Sequence, residues 1–125
     1  MSAGVTLDTG ALVALERRHD RVLRLLRGAK ERKLPVTVPM AVVAEWWRGR
    51  TDVREAILAA LLLEPMSLVL ARAAGEAMAA VRGATVVDAI VMASAALRGD
   101  MVWTSDADDL ARLAPHFPGV RVLLV

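Results

Sequence analysis

The amino-acid sequence predicts an α/β fold with three layers, α/β/α, in which helices cover both faces of a short-stranded central parallel sheet. Two observations lead to this prediction. Short segments alternate with longer helical segments along the chain, and the short segments are apolar at nearly every position, as in strands buried on both faces. The length is sufficient for one core, so residues 1–125 are predicted to form a single domain.

The first half of the chain is predicted to alternate short strands with helices. The strand at 5–7 is apolar and runs into residues 8–10, Asp-Thr-Gly, which are typical of a helix start. In order, the predicted elements are strand 5–7, helix 11–17, helix 21–33, strand 35–39 and helix 40–48. Along helix 21–33 the arginines recur every three or four residues, so its apolar side chains are expected to face inward.

The second half is predicted to contain four helices and two strands. Two apolar helices flank Glu64-Pro65, and the helix that follows them ends at Gly99. In order, the predicted elements are helix 52–63, helix 67–82, helix 86–98, strand 101–104, helix 107–113 and strand 120–125. Because ligands of parallel sheets bind beyond the carboxyl ends of the strands, acidic residues at those ends are the first candidates for a functional site.

The composition is that of a globular protein, with 56% hydrophobic and 24% charged residues. The absence of cysteine excludes disulfides and thiolate metal sites. The N-terminus lacks the basic and apolar regions of a secretory signal. The longest apolar stretch, at 56–63, is too short to span a membrane. We therefore expect a soluble, cytoplasmic protein with no membrane partner.

A basic segment at 17–33 stands out from the rest of the chain. It holds eight Arg or Lys residues against two acids, whereas the remaining residues carry a small excess of acids. Such a segment is commonly a solvated helix face. The same arrangement also suits a polyanion that approaches an acidic, metal-loaded centre, so both interpretations stay open.

Several aspartates lie at predicted helix starts, where they have a purely structural interpretation. Asp8 follows the first strand and can cap the next helix. Thr85 and Asp88 have the spacing of a capping box, although Glu or Gln is the usual residue at the second position. Asp106 and Asp109 form a similar pair. Taken alone, Asp8 is as well explained by capping as by ligand binding. For Asp88, Asp106 and Asp109, capping is the better explanation.

Glu45 is different, because it lies in mid-helix among apolar residues that include Trp46 and Trp47. Glutamate is rarely buried without a partner, since desolvating its charge is costly. The alternative is that Glu45 points outward between the two tryptophans. Adjacent tryptophans cannot both face the core from one helix, so we expect one in the core and one at an oligomer or partner surface.

The joint pattern favours a metal site. Asp8, Asp88 and Asp106 all lie at helix starts, so one edge of the fold can gather them, and carboxylates that close repel unless a cation lies among them. Oxygen-only ligands suit Mg²⁺ or Mn²⁺. The only histidines are His19 and His116, in unrelated parts of the sequence. The sequence also lacks a glycine-rich phosphate loop and a G-x-S-x-G elbow.

Four blocks of the sequence, in this order, resemble the successive motifs of the PIN-domain family. The blocks are LDTGALVAL, VPMAVVAEWWRG, TVVDAIVMASAALRGD and VWTSDADDL. The resemblance covers nearly the whole chain, and the size and block order are most similar to the VapC-type toxins of bacterial toxin–antitoxin modules. It implies a parallel sheet between helices with acids at the carboxyl ends of the strands.

The resemblance also implies a set of site residues. The four acids of the family match Asp8, Glu45, Asp88 and Asp106. Asp109 matches a further acid that the family often has, and Thr104 matches a hydroxyl residue that helps to order the site. Asp108 has no counterpart and is interpreted as solvated. The Trp46-Trp47 pair beside the second acid is unusual for the family.

The function implied is an Mg²⁺- or Mn²⁺-dependent endoribonuclease that leaves a 5′-phosphate and a 3′-hydroxyl. Asp8, Asp88 and Asp106 are expected as metal ligands, the last directly or through water, and Glu45 is expected to orient water or bind a second ion. Phosphate contacts from the basic segment are expected to guide RNA; the candidates are Arg17, Arg21 and Arg24. The resemblance further implies a homodimer and a groove for an antitoxin segment.

Three other functions remain open at this point. One is a housekeeping RNA-processing nuclease of the same family. A second is a non-enzymatic, receiver-like module that binds Mg²⁺, which is disfavoured because the only lysines, Lys30 and Lys33, come early in the chain. The third is an aspartyl-nucleophile phosphohydrolase, which is disfavoured because residues 8–10 lack the second aspartate of a D-x-D motif.

Overall fold

The computed structural model describes residues 3–125, which form a five-stranded sheet with seven α-helices. The strands are β1 (Val5–Leu7), β2 (Val36–Pro39), β3 (Leu62–Glu64), β4 (Met101–Thr104) and β5 (Val122–Leu124). The helices are α1 (Thr9–Glu16), α2 (Asp20–Glu31), α3 (Met40–Trp46), α4 (Asp52–Ala60), α5 (Leu68–Ala80), α6 (Val86–Arg98) and α7 (Ala107–Ala111). None of the helices in this part of the chain is long and apolar enough to cross a membrane.

The sheet is parallel throughout, with the strand order β3-β2-β1-β4-β5. This confirms the predicted α/β/α class. The chain proceeds from β1 outward to β2 and β3, then returns to the other side of β1 for β4 and β5. The switch of direction therefore lies between β1 and β4, and open parallel sheets bind ligands at such a switch, beyond the carboxyl ends of the strands. Leu7 pairs with Trp103 there, so the residues just after these two strands border the same crevice.

Strand β3 corrects the predicted helix over 52–63. Helix α4 ends at Ala60, Leu61 is extended, and Leu62–Glu64 pair with Thr37–Pro39 of β2. The sequence gives no sign of this break, because residues 56–63 consist of Ala, Ile and Leu, with no Gly or Pro to end a helix. A three-residue strand inside such a run is formed by pairing with β2 rather than by its own propensity.

The other elements agree with the predicted bounds to within two residues at each end. Helix α6, over 86–98, and strand β4, over 101–104, agree at both ends. Helix α3 ends two residues early, because Trp47 is already in an extended conformation. The helix predicted over 107–113 is shorter, and a 3-10 turn at Ala114–His116, with Pro115 near its start, follows it.

A network of hydrogen bonds and ion pairs connects α6 to the sheet. The guanidinium of Arg98 donates to Oδ2 of Asp100 at 3.0 Å and to the hydroxyl of Thr6 at 2.7 Å, and it forms an ion pair with Glu64. Ser94 donates to the same Glu64 carboxylate at 2.5 Å. Because Thr6 lies on β1 and Glu64 on β3, the network fixes the end of α6 relative to both strands.

Candidate metal centre at the carboxyl edge of the sheet

Asp8 follows β1 directly and begins α1. Its Oδ1 accepts a hydrogen bond from the backbone N–H of Ala11 at 2.8 Å, so Asp8 does cap the helix. The residue is 7% exposed. Burial is the largest cause that raises the pKa of Asp8 from 3.8 to about 6; hydrogen bonds from Thr104 and Ala11 lower it, and the charges of Asp88 and Asp109 raise it. A carboxylate has about four lone-pair sites, so capping leaves it able to bind a cation.

Asp106 lies in the turn between β4 and α7. The hydroxyl of Thr104 accepts a hydrogen bond from the backbone N–H of Asp106 at 3.1 Å, and Oδ1 of Asp106 accepts one from the N–H of Asp108 at 3.0 Å. Asp106 is therefore the N-cap of α7, and Thr104 orders the turn that carries it. Asp108 is exposed, as expected.

A close approach between Gly10 and Ser105 sets the position of this turn. A Cβ atom on Gly10 would overlap the Ser105 Oγ, and it would lie 3.2 Å from the Ser105 Cβ and 3.3 Å from its backbone nitrogen. A side chain at position 10 would therefore crowd the β4–α7 turn at Ser105. Glycine lets the turn pack against α1, which keeps Asp106 at the edge where β1 and β4 end.

Asp88 lies in the first turn of α6. The hydroxyl of Thr85 caps the helix by accepting from the Asp88 N–H at 3.2 Å. Within residues 3–125, the Asp88 carboxylate does not make the return bond to the backbone of Thr85 that a complete capping box requires. Burial is the largest cause that raises its pKa; the Thr85 hydroxyl lowers it, and the charges of Asp109, Glu45 and Asp106 raise it. The capping-box interpretation of this carboxylate is therefore not supported.

Glu45 points outward, which is the alternative to burial that the sequence left open. It is exposed, and its Oε1 accepts a hydrogen bond from the Thr9 hydroxyl at 2.5 Å. The expectation of one core tryptophan is met by Trp46, which is 4% exposed, while Trp47 is half-buried with its ring edge-on to that of Trp46. Thr9, the residue after Asp8, therefore holds Glu45 of α3 at the same edge of the sheet as Asp8.

The structure therefore brings five carboxylates to one edge. Asp88 is affected electrostatically by Asp109, Glu45 and Asp106, and Asp8 by Asp88 and Asp109. Their mutual repulsion disfavours the fully ionised site unless a cation is added. From the sequence, Asp8, Asp88 and Asp106 were expected at one edge because of their helix-start positions, and Glu45 and Asp109 were added by the family resemblance. Capping was the alternative role for the aspartates, and Asp8 and Asp106 do act as caps.

The donor set suits a hydrated hard ion. All candidate ligands are carboxylate oxygens, which favour Mg²⁺ or Mn²⁺. Within residues 3–125, no three Asp, Glu or His side chains lie close enough together to form a complete metal-binding cluster. Mg²⁺ commonly keeps several waters and is held by one or two carboxylates. The residues present therefore fit such an ion and do not form an all-protein cage.

The three candidate RNA-binding arginines do not line one common groove. Arg17 lines an open groove beside Glu45. Arg21 donates from Nε to the carbonyl oxygen of Leu124 at 3.0 Å, which places it by β5. Arg24 is exposed on α2. Only Arg17 is therefore placed in a groove that reaches the acidic edge.

Sequence reasoning missed Thr9 and Ser105, which position Glu45 and the Asp106 turn. It also missed the groove residues Arg48 and Arg54. Their roles depend on contacts between distant segments, such as the 36 residues that separate Thr9 from Glu45. The Asp-Thr-Gly triplet at 8–10 was the only local signal; it was interpreted as a helix start and as part of a family motif, with no role given to Thr9.

An all-parallel sheet with carboxylates at its switch point defines an α/β protein with an acidic edge. The sequence matches the PIN domain over residues 5–115, so the chain belongs to the PIN-domain family. PIN domains are in general nucleases that use divalent metal ions. A comparison with curated protein sequences finds no match.

Solved structures with the same fold include toxin–antitoxin complexes. VapBC2 from Rickettsia felis, bound to a DNA fragment from its promoter, superposes with a TM-score of 0.77 at 13% identity, covering 97% of this chain and 98% of that one. DNA-bound VapBC from Salmonella typhimurium gives 0.76 at 15% identity, covering 98% of each chain. A toxin–antitoxin complex from Klebsiella pneumoniae gives 0.71 at 18% identity, covering 98% and 96%. At these identities the likeness establishes the fold.

Proposed function

We propose that this protein is an Mg²⁺- or Mn²⁺-dependent endoribonuclease and the toxin of a toxin–antitoxin pair. The observation that carries the proposal is the gathering of four acids at the β1–β4 switch point. They come from α1, α3, α6 and the β4–α7 turn; the residues are Asp8, Glu45, Asp88 and Asp106. The family assignment supports nucleic acid as the substrate class.

Each acid has a proposed role that follows from its surroundings. Asp8 and Asp88 hold the ion. Asp8 is buried and Asp88 is half-buried, and burial raises the pKa of both, so a bound cation favours their ionised forms. Asp106 is exposed and holds the ion directly or through water. Glu45, anchored by Thr9, orients the attacking water or contributes to a second ion.

When bound, a divalent ion lowers the pKa of water and neutralises charge that develops on the scissile phosphate. The chain's own contribution is to fix the carboxylates. The cap on α1 holds Asp8, the Thr104 hydroxyl holds the Asp106 turn, and the Thr9 hydroxyl holds Glu45. Asp109, in the first turn of α7, adds negative charge near Asp8 and Asp88 and so supports cation binding.

The test is cleavage of RNA in the presence of Mg²⁺, compared with EDTA. Asp8→Asn and Asp88→Asn should each abolish cleavage, because each removes a charged ligand while keeping the shape of the side chain. Asp108→Asn is the matched control, since Asp108 is an exposed acid of the same acidic cluster with no proposed role. Full activity of both Asn variants would remove the metal-ligand assignment.

An apolar groove supports the proposed antitoxin partner. A cavity of about 360 Å³ lies between α1, α2 and α4, and its apolar lining includes Leu15, Leu23, Leu26 and Ile57. An amphipathic helix from another protein can fill such a groove with its apolar face. The similar structures from Rickettsia felis, Salmonella typhimurium and Klebsiella pneumoniae are themselves toxin–antitoxin complexes.

Expression of the wild-type chain alone should arrest bacterial growth, and co-expression of a neighbouring small antitoxin gene should restore it. Ile57→Glu should prevent this rescue, because it places a charge in the apolar groove. Unimpaired growth and intact RNA in cells that express the chain alone would favour the housekeeping nuclease instead.

A second apolar surface supports the proposed homodimer. Exposed apolar side chains cluster on β3 and the start of α5; they are Leu62, Leu63, Met66, Leu68 and Val69. Patches of this kind commonly mark protein interfaces. Light scattering at micromolar concentration should report a dimer, and Leu68→Glu should convert it to a monomer, whereas Leu97→Glu, at an exposed leucine on α6, should not. A monomeric wild-type protein would contradict the dimer.

A further inference from the structure

A groove of about 680 Å³ opens next to the acidic centre. It lies between α1 and the segment that joins α3 to α4. Its lining residues are Thr9, Val13, Glu16, Arg17, Glu45, Trp46, Arg48 and Arg54. Thr9 and Glu45, which are joined by a hydrogen bond, both line the groove, so the groove reaches the edge that carries the carboxylates.

The charges within the groove are not balanced. Arg54 is already paired: its Nε and Nη2 each lie 3.0 Å from Oε2 of Glu16. The other oxygen of Glu16 accepts a hydrogen bond from the Trp46 indole at 3.0 Å. Within residues 3–125, Arg17 and Arg48 form no ion pair with a carboxylate. The groove therefore presents two arginines without an ion-pair partner, and its lining of three arginines and two glutamates carries a net positive charge beside a centre rich in anions.

The loop that carries Arg48 is held in place by the same network. Arg54 donates from Nη1 to the carbonyl oxygen of Gly49 at 2.9 Å, and its backbone N–H donates to the Thr51 hydroxyl at 3.1 Å. Gly49 has φ of +108°, a backbone conformation that residues other than glycine rarely adopt. The Glu16–Arg54 pair thus orders the loop, and Arg48 is presented on a fixed backbone.

We infer that this groove binds the backbone phosphates of RNA that flank the cleaved bond, with Arg17 and Arg48 as the phosphate contacts. The inference rests on the proposed ribonuclease function. Arg17 lies one helix length from Thr9, roughly 12 Å at 1.5 Å per residue, so it reaches phosphates beyond the one at the carboxylates. Arginine forks match phosphate oxygens, and these contacts also offset the repulsion between RNA and the acidic edge. Arg54 acts as a positioning residue for the loop.

The experiment measures cleavage of a single-stranded RNA oligonucleotide, together with its binding in EDTA at several salt concentrations. Arg17→Gln and Arg48→Gln should each raise KM about fivefold and leave kcat within about twofold. Each should also reduce the slope of log affinity against log salt by about 0.7, the value expected for one lost phosphate contact with a single strand. Arg54→Gln should raise KM without changing this slope, because Arg54 makes no phosphate contact.

Arg72→Gln, at an exposed position of α5 and outside the groove, is the matched control and should leave both quantities unchanged. The inference would be overturned if the wild type cleaves RNA and Arg17→Gln and Arg48→Gln both keep its KM and its salt slope. That result would leave the ribonuclease proposal intact. If these two variants instead lose only the ability to be neutralised by an antitoxin, the groove is a protein-binding surface and the inference is wrong. Absence of cleavage by the wild type would contradict the ribonuclease proposal itself.

Discussion

The hydroxyl of Thr9 donates a hydrogen bond to Oε1 of Glu45 at 2.5 Å, joining the first turn of α1 to α3. Since Asp8 immediately precedes Thr9, two proposed acids of the metal centre are positioned by adjacent residues of one helix start. The exposed Glu45 side chain would otherwise be free to adopt several rotamers. Its contribution to the site therefore depends on Thr9.

Thr9→Val removes this hydrogen bond while keeping the side-chain shape. A hydrogen bond to a charged group contributes about 1.5–3 kcal/mol, so we expect kcat for RNA cleavage to fall about tenfold or more. Because the contact is exposed, the free energy of unfolding should change by less than about 0.5 kcal/mol. Thr9→Ser keeps the hydroxyl and should retain most of the activity; equal losses in both variants would argue against the hydrogen bond as the cause.

Gly10→Ala tests the packing of the Asp106 turn. Helix propensity alone would make alanine more stabilising by about 1 kcal/mol. The new Cβ, however, would overlap the Ser105 Oγ, and rotating that hydroxyl away leaves the Ser105 Cβ at 3.2 Å and its backbone nitrogen at 3.3 Å. We therefore expect a net destabilisation of about 1–2 kcal/mol, measured by urea denaturation. The same substitution in a Ser105→Gly background should cost less, and a stabilised Gly10→Ala single variant would show that the close approach is absent.

The pH dependence of stability tests the electrostatics of Asp8. Its pKa is about 6 in the folded protein and 3.8 in the reference state, so the unfolded chain loses its proton first as pH rises. The metal-free protein should therefore lose stability between about pH 4 and pH 6, by up to about 3 kcal/mol from this group. The raised pKa of Asp88 acts in the same direction.

Asp8→Asn should remove this loss and keep the helix cap, because asparagine caps as well as aspartate. Without metal, the variant should match the wild type near pH 4 and melt at a higher temperature at pH 8. Addition of Mg²⁺ at pH 8 should stabilise the wild type and not the variant. A variant that is less stable than the wild type in EDTA at pH 8 would contradict the burial of this charge.

Arg98→Ala tests the network of hydrogen bonds and ion pairs that connects α6 to β1 and β3. The substitution leaves Glu64 and Asp100 without their cation, and these side chains are only 24% and 4% exposed. We expect the free energy of unfolding to fall by about 2–3 kcal/mol, less than for a fully buried pair. Arg72→Ala, at an exposed position of α5, is the control and should have little effect. Equal stability of the two variants would mean that the network contributes nothing to the fold.

The sequence was sufficient for the fold class and for most of the elements, because continuous apolar strands and clear helix ends at Thr85 and Gly99 are local signals. It failed at β3, since Leu62–Glu64 become a strand only by pairing with β2. It proposed the candidate acids from the helix-start positions of the aspartates, the mid-helix position of Glu45 and the order of the family motifs. It could not give the orientation of Glu45, which is determined by the hydroxyl of Thr9 across 36 residues.

The central claim is that acids from distant parts of the chain together hold a divalent ion. The most direct test is equilibrium binding of Mn²⁺, in which the free ion is measured by its electron paramagnetic resonance signal. The wild type should bind Mn²⁺ at neutral pH. Asp8→Asn and Asp88→Asn should each lose about tenfold or more in affinity, or about 1.4 kcal/mol, while Asp108→Asn binds as the wild type does. Wild-type affinity in both Asp8→Asn and Asp88→Asn would contradict the claim.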